Sequence, residues 1–297
     1  QLMGGSKQQI IDALSQAWLD GSSLRTYRHA PNAGPRKSWA AGDATSRAVR
    51  LAELTLKGEI GYPSVLTAPT WGFYDVSFKG KNFKLPQEYG SYVMENILFK
   101  ISFPAEFHSQ TAAEAAVKLH PLVKDRIHEI EKIVIRTHES AIRIISKVGV
   151  LNNPADRDHC LQYMIAVPLA FGNLTAEHYE DDFHHSNPVI DQLRDKMIVE
   201  EEPKYTSEYL EPNKRSIANS LQVMFTDGSE TEKIEINYPV GHRKRRKEGI
   251  PLLEKKFQSN LLTALPNDRC KEIFNLCKNQ EKLAATAVNE FMELLVP

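Results

Sequence analysis

Cysteine is scarce in this 297-residue chain, which contains only Cys160, Cys270 and Cys277. The number is odd and no two of the three are closely spaced. The sequence therefore excludes the dense disulfide framework of small secreted proteins and favours reduced thiols inside a cell. No apolar run approaches membrane-spanning length, and the opening residues do not have the pattern of a secretory signal. We expect an intracellular globular protein.

An excess of charge of either sign is also lacking, since 37 basic residues face 38 acidic ones. A near-neutral chain is not typical of a protein whose main partner is nucleic acid. The sequence contains no glycine-rich dinucleotide fingerprint, no Walker loop, no nucleophile elbow and no metalloprotease motif. We accordingly predict neither a bound cofactor nor a nucleic-acid partner.

Positive charge is nevertheless concentrated in one stretch, Leu24–Arg47. Its cations are Arg25, Arg28, Arg36, Lys37 and Arg47, joined by His29 and opposed by Asp43. Prolines, a glycine and an asparagine predict a turn-rich loop, followed by a helix at 43–57 with Asp43 as its N-cap. Loop cations beside a helix N-terminus can bind a carboxylate or a phosphate, and a solvated basic loop is the equal alternative. Lys37 is the main candidate, because the neighbouring Trp39 suggests partial burial.

Hydrophobic periodicity predicts helices over most of the chain and strands only in its middle. Ser6 and Gln9 have the spacing of a capping box at the start of a helix over 6–20. Two alternating runs around Asp227-Gly228 predict a β-hairpin between 221 and 238. The further predicted elements are a strand at 130–137 and helices at 43–57, 89–98, 109–120, 154–171, 188–197, 250–263, 268–279 and 284–296.

These elements predict an α+β fold, in which a mainly helical domain is built from both chain ends and an α+β domain is inserted between them. The predicted boundaries are 1–98 for the helical domain, 99–238 for the α+β domain and 239–297 for C-terminal helices that return to the helical domain. The chain opens at Gln1 without an initiator methionine, and we interpret it as part of a longer protein.

Polar residues within apolar surroundings provide further candidates. Asp156, His159 and Tyr163 are spaced to share one face of the predicted helix 154–171, with Arg157 beside them. Such a stripe can deliver proton-transfer groups to a cleft, although a satisfied structural network is the more common explanation. Lys100, between aromatic and aliphatic residues, is either a functional charge or a lysine whose head reaches solvent.

Two further charged segments are expected to be solvent-exposed and to have no functional role. His184 and His185 follow a pair of aspartates, but adjacent histidines in a loop lack the spacing of metal ligands, so we expect a solvated loop and no metal site. The basic run at 242–247, HRKRRK, is expected to be a solvated face.

Long phrases of the sequence resemble the MmgE/PrpD family of 2-methylcitrate dehydratases and, more distantly, cis-aconitate decarboxylases. The phrases are at 23–52, 62–80, 90–112, 151–172 and 238–251. The resemblance implies a metal-independent dehydratase that converts 2-methylcitrate to 2-methyl-cis-aconitate in the methylcitrate cycle of propionate breakdown, with possible action on citrate. It also implies a small tricarboxylate substrate, a homodimer, an inserted α+β domain that serves as a lid, and a mitochondrial matrix or bacterial cytoplasmic location. An aconitase-type iron–sulfur centre is excluded by the spacing of the cysteines.

The resemblance places Lys37, Lys100 and Tyr163, the last in a pattern with His159, at active-site positions, and these four are the expected catalytic residues. The expected substrate-binding residues are Arg25, Arg28 and Arg157, because a guanidinium can bind a carboxylate through two hydrogen bonds, together with His29 and His108. Glu106 occupies the position of a functional histidine in the decarboxylases, which weakens a decarboxylase interpretation. Family members also have an N-terminal helical part before the segment that matches Gln1. A decarboxylase on the same scaffold and a catalytically inactive fragment remain the alternatives.

Overall fold

The computed structural model describes residues 1–21, 24–28, 33–85, 90 and 92–296. The chain divides into two compact units, which are described separately below. Unit 1 comprises Gln1–Gly90 with Asn152–Asp156, and unit 2 comprises Ser91–Leu151 with Arg157–Pro297. None of the described helices combines the length and the hydropathy needed to cross a membrane.

The regular secondary structure in the described part of unit 1 is helical, and turns and irregular segments connect the helices. Its helices are α1 (Lys7–Asp20), α2 (Arg36–Leu56) and α3 (Phe73–Val76). The predicted capping box is confirmed, because the Ser6 side chain accepts from the Gln9 amide and the Gln9 side chain accepts from the Ser6 amide. Two donor groups that the first turn of α1 would leave unsatisfied are paired in this way.

The prediction that Asp43 caps the second helix is wrong. Helix α2 begins at Arg36, and the carboxylate of Asp43, about two turns later, accepts from the Arg36 guanidinium at 3.1 Å. Pro35 precedes the helix, where its fixed φ is compatible with the first turn. The proline therefore marks the helix start that we had placed at the aspartate.

The apolar stripe predicted for α1 is only partly covered by unit 1. Trp18 packs edge-on against Phe73 with ring centroids 4.6 Å apart, whereas Leu14 remains 58% exposed. Helices α1 and α2 border an open apolar groove of about 440 Å³. The described residues therefore leave part of the apolar face of α1 exposed.

Unit 2 contains all the described strands and the remaining helices. Its helices are α4 (Tyr92–Glu95), α5 (Gln110–Val123), α6 (Glu139–Ile145), α7 (Pro154–Arg157, whose first residues belong to unit 1), α8 (Leu161–Phe171), α9 (Asp181–Ser186), α10 (Val189–Asp195), α11 (Pro203–Leu210), α12 (Arg246–Leu261), α13 (Asn267–Lys278), α14 (Gln280–Ala285) and α15 (Val288–Leu294). The strands are β1 (Ile130–Thr137), β2 (Met197–Glu201), β3 (Asn219–Phe225) and β4 (Ile234–Ile236). The mixture of helices and a small sheet confirms the α+β class.

The sheet of unit 2 has the strand order β2-β1-β3-β4 in the described part of the chain. Strand β1, confirmed with its predicted bounds, pairs in parallel with β2 and antiparallel with β3. The predicted hairpin is confirmed as β3 and β4, and Gly228 supplies the positive φ of its turn. Strand β2 was not predicted, because it is a short edge strand with three exposed side chains and little alternation.

The core of unit 2 lies between this sheet and helices α5 and α8. Ile133, Ile135, Leu221 and Val223 are fully buried on one sheet face, and α5 contacts α8 as well as β3 and β4. A smaller cluster around Ile273 links α12 and α13.

The predicted continuous helix over 154–171 is interrupted. Helix α7 ends at Arg157, and α8 begins only at Leu161 after Cys160 in an extended conformation. Because the chain leaves helical geometry between them, Asp156, His159 and Tyr163 do not share one helical face as we expected. Pro168 lies inside α8, which continues to Phe171.

The C-terminal helices lie in unit 2 as described, whereas the sequence analysis assigned 239–297 to the helical domain. The predicted boundary at 98/99 also differs from the observed one after Gly90. The predicted helix at 89–98 is reduced to the four residues of α4, and part of that range lies outside the described residues. A single helical domain made from both chain ends stays a prediction.

The buried strand β1 provides a stability test. Replacing Ile135, which has no exposed surface, by alanine is expected to lower the free energy of unfolding by about 2–5 kcal/mol, because it removes buried methyl groups and leaves a cavity. Urea denaturation followed by circular dichroism measures the change. The matched control is Ile198→Ala on β2, where the side chain is 45% exposed and a much smaller loss is expected. Equal losses at the two positions would contradict the described burial.

Candidate active site

A carboxylate and an imidazole are joined in the turn that leads into α5. Both oxygens of Glu106 lie 2.8 Å from Nδ1 of His108, and Oε2 also accepts the backbone N–H of His108 at 2.8 Å. Burial alone would raise the pKa of Glu106, but hydrogen bonds from His108 and the charges of His108 and His159 outweigh it, and the pKa is lowered. Glu106 is therefore an ionised acceptor at neutral pH.

Residues that follow the parallel strands complete the surroundings of His108. His138 comes directly after β1 and caps α6 by accepting from the Ala141 amide, and Tyr209 lies on α11, which follows β2. The Tyr209 hydroxyl lies 3.2 Å from Nε2 of His108, and its ring stacks on His138 with centroids 4.5 Å apart. Since the carboxyl ends of parallel strands meet at one edge of a sheet, the topology itself assembles these groups.

The His138 ring is held in its neutral form. It is fully buried, and burial together with the charge of His108 lowers its pKa to about 4 against the opposing effect of Glu106. Its Nδ1 accepts the Ala141 N–H, so the ring proton is on Nε2. That Nε2 is buried and has no hydrogen-bond partner among the residues the structure describes.

Lys100 and His159 belong to the same neighbourhood of unit 2. The Lys100 ammonium lies 5.0 Å from the centre of the Phe107 ring. Burial lowers the pKa of Lys100, as does Lys256, whereas the carboxylates of Glu106 and Asp158 oppose the shift. His159 is nearly buried, and its Nδ1 lies 3.2 Å from Asp158 Oδ1 without hydrogen-bond geometry.

These groups form a cluster of proton donors and acceptors, which we call the edge cluster: Lys100, Glu106, His108, His138, Asp158, His159 and Tyr209. An ionised carboxylate (Glu106), a neutral imidazole (His138) and a lysine with a lowered pKa (Lys100) are the ingredients of general acid–base catalysis. Among the described residues, no three histidine, cysteine, aspartate or glutamate side chains are grouped closely enough to hold a metal ion.

Three of the predicted site residues, Lys100, His108 and His159, are thus brought together in unit 2. Lys37, Arg25 and Arg28 belong to unit 1, and His29 lies outside the described residues. Lys37 is half-buried in the first turn of α2. The backbone N–H of Lys37 donates to the Gly34 carbonyl, so this amide is not one of the free N–H groups that we expected to bind an anion.

Two other predicted residues have structural surroundings. Arg157 is buried, with Nε donating to the Tyr179 carbonyl and a terminal nitrogen paired with Asp181. The Tyr163 hydroxyl is buried in the core and donates to the His178 carbonyl at 2.6 Å. Burial also raises the pKa of Tyr163. These contacts do not support a role in substrate binding or proton transfer, and the predicted roles stay untested.

The two segments that we expected to be solvated make specific contacts with other protein groups. His184 lies in helix α9, is buried, and places Nε2 3.0 Å from Asp191, so the solvated loop was a wrong prediction. In the basic run, Arg245 forms ion pairs with Glu114 and Glu248, and Arg246 stacks 4.2 Å from the Phe99 ring.

Sequence reasoning missed Glu106, His138, Asp158 and Tyr209 as members of the cluster. Glu106 was noticed only as a departure from the decarboxylases. A prediction of β2 as a parallel partner of β1 would have pointed to the residues after both strands. Asp158 had no signal of its own.

An α+β fold with a cluster of acid–base groups at one edge of its sheet is typical of an enzyme. Comparison with family models identifies the family. The model of the MmgE/PrpD C-terminal domain matches residues 103–280, and that of the MmgE/PrpD N-terminal domain matches residues 1–86. The chain therefore belongs to the MmgE/PrpD family.

Curated relatives cover nearly the whole chain. It is 55% identical over 299 residues to the 2-methylcitrate dehydratase of Escherichia coli K12, covering 100% of this chain and 62% of the relative. It is 53% identical over 298 residues to the mitochondrial 2-methylcitrate dehydratase of Yarrowia lipolytica, covering 99% and 57%. It is 59% identical over 267 residues to a probable 2-methylcitrate dehydratase of Saccharomyces cerevisiae, covering 88% and 52%. The chain thus spans less than two thirds of the length of these relatives.

The lowered pKa of His138 has a consequence for stability. An unfolded chain binds a proton at this histidine near its ordinary pKa of 6.5, whereas the folded chain does so only near 4. Stability is therefore lost as the pH falls from about 6.5 to 4, by at most about 1.4 kcal/mol per pH unit for one proton. His138→Asn retains an N-cap and is expected to flatten this slope in urea denaturation measured across pH.

The control for this measurement is His128→Asn, since the His128 side chain is 79% exposed. We expect it to leave the slope unchanged. A slope that His138→Asn does not alter would contradict the buried, neutral state of the ring.

Proposed function

We propose that the protein is a hydro-lyase that removes water from 2-methylcitrate to give 2-methyl-cis-aconitate in propionate catabolism. The observation that carries the proposal is the edge cluster of unit 2, which has the groups this reaction needs. Relatives from a bacterium and two yeasts, all named as dehydratases or probable dehydratases of 2-methylcitrate, support the choice of substrate.

The chemistry of the substrate explains why cations are needed. The proton that is removed lies beside a carboxylate, so further negative charge accumulates on that carboxylate in the transition state. Preorganised positive groups are usually the largest contribution to catalysis of such a step. Lys100 lies among the acid–base groups of unit 2, and Lys37, Arg25 and Arg28 are the proposed cations of unit 1, where arginine can bind a carboxylate through two hydrogen bonds.

Further properties are proposed with the function. We propose that the reaction needs no metal ion and that the protein acts as a homodimer with an inserted lid. One relative is named as mitochondrial, and we propose the mitochondrial matrix for a eukaryotic source and the cytoplasm for a bacterial one.

The function is tested by the ultraviolet absorbance of the alkene formed from 2-methylcitrate. The chain is assayed alone and as a chimera in which it replaces the matching 62% of the Escherichia coli relative. We expect the chimera to form the alkene, and to do so at an unchanged rate after treatment with a chelator. The unmodified relative is the positive control.

Three outcomes would contradict parts of this proposal. A folded chimera that forms no alkene from 2-methylcitrate would exclude the dehydratase. Release of carbon dioxide from cis-aconitate would identify a decarboxylase. Activity that is lost on chelation and restored by iron would exclude the metal-free reaction.

The two lysines provide a test of the electrostatic argument. Lys37→Met and Lys100→Met, made separately in the chimera, are each expected to lower kcat/KM for 2-methylcitrate by about 10²-fold or more, because each removes a positive charge near the developing carboxylate charge. The matched control is Lys132→Met on the exposed face of β1, for which no change is expected. Unchanged kcat/KM for either lysine would remove it from the site.

A further inference from the structure

We propose that His108 is the base that accepts the carbon-bound proton of the substrate at Nε2, and that Glu106 is the residue that orients its ring. The inference rests on the dehydratase function proposed above and assigns the proton-transfer step to a particular atom. The sequence analysis had placed His108 among the substrate-binding residues, and Glu106 had no role.

Glu106 determines which nitrogen of His108 carries the proton. An ionised carboxylate only accepts hydrogen bonds, and both of its oxygens lie 2.8 Å from Nδ1. Nδ1 must therefore be protonated, so that in the neutral ring Nε2 keeps its lone pair. The same carboxylate stabilises the positive ring that forms when Nε2 takes up a proton, which is the role of a carboxylate beside a catalytic histidine.

Contacts at Nε2 also restrain the His108 ring. The Tyr209 hydroxyl donates to Nε2 across 3.2 Å in the resting site, and the stacked His138 restrains the Tyr209 ring. The backbone of the turn is fixed as well, because Asn219 at the start of β3 donates to the His108 carbonyl at 2.8 Å. A substrate C–H group that replaces the hydroxyl would meet a lone pair already aimed at it.

The other histidines of the cluster are poorer bases. His138 has no exposed surface and uses Nδ1 to cap α6. In the part of the chain that the structure describes, Nδ1 of His159 has no hydrogen-bond partner, and Asp158 Oδ1 lies 3.2 Å away without hydrogen-bond geometry. Exposure does not separate His108 from His159, since their side chains are 12% and 11% exposed. What distinguishes His108 is the carboxylate hydrogen-bonded to its Nδ1.

The step balances within unit 2. The substrate proton moves from carbon to Nε2 of His108, and the electron pair of the broken C–H bond becomes the second bond of the alkene. Hydroxide leaves with the electron pair of the C–O bond and becomes water by taking a proton from the Lys100 ammonium, whose pKa burial lowers. The imidazolium then returns its proton through solvent to the Lys100 amine. The charged and titratable groups that face this neighbourhood among the described residues include Lys100, Glu106, His138, Arg143, Asp158, His159, Tyr209, Arg215 and Lys256.

Glu106→Gln tests the proposal with two independent measurements. The amide carries no charge, and it replaces one of the two oxygens that lie 2.8 Å from Nδ1 by an NH₂ group, which weakens the preference for a proton on Nδ1. Nitrogen-15 spectra of the histidine-labelled chain, with His108 assigned by its loss in His108→Asn, are expected to show Nδ1–H in the native chain and a shift towards Nε2–H in the variant. In the chimera, kcat for 2-methylcitrate is expected to fall about 10²-fold or more with little change in KM.

A double variant and a control variant complete the experiment. Glu106→Gln is expected to cause no further loss in a His108→Asn background, since a positioning residue acts through the ring it positions. Glu235→Gln is the matched control, because Glu235 accepts from Tyr205 at 2.7 Å in the same unit and is not in the edge cluster. It is expected to leave kcat and the His108 ring unchanged.

The outcomes separate this inference from the proposed function. An unchanged ring in Glu106→Gln overturns the orienting role of Glu106, whether or not the protein is a dehydratase. A changed ring with an unchanged kcat in an active chimera overturns His108 as the base and leaves the dehydratase function intact. A native chimera without activity refutes the function, while the spectra still decide the role of Glu106.

Discussion

The burial of helix α5 is the constraint on which the described part of unit 2 depends. Ala112, Ala113, Ala115 and Ala116 have no exposed surface, and their small side chains let the helix approach α8 and the strands β3 and β4 closely. Because α5 begins directly after Ser109, the turn that holds Glu106 and His108 continues a rigid element. Side chains on such elements keep their geometry better than side chains on free loops.

The sheet contributes the second half of the same arrangement. Strands β1 and β2 run in parallel, so His138 and the helix that carries Tyr209 begin at the same edge. Two residues at this edge, His138 and Glu106, are held in opposite states of charge. Burial and the charge of His108 keep His138 neutral, whereas hydrogen bonds keep Glu106 ionised despite its burial. One edge thus holds a neutral ring and a charged carboxylate on either side of His108, which is the kind of contrast that separates acid and base roles.

Local patterns were predicted well where a few neighbouring residues decide the conformation. The capping box at Ser6, the alternating strand β1 and the turn at Asp227-Gly228 all depend on contacts within a few positions. Errors arose where distant contacts decide. The extended conformation at Cys160 follows no local breaker residue. Strand β2 exists because β1 offers it hydrogen bonds, and its own alternation is weak.

The sequence by itself determined the family and the α+β class, because long phrases and strong periodicity are properties of the chain. Only the tertiary structure decided that the side chains of Glu106, His108 and Tyr209 are in hydrogen-bond contact and that Arg157 and Tyr163 are buried. His108 and Tyr209 are 101 positions apart and meet through the pairing of parallel strands. Hydrogen bonds and burial between such distant residues depend on packing, which no local pattern in a sequence specifies.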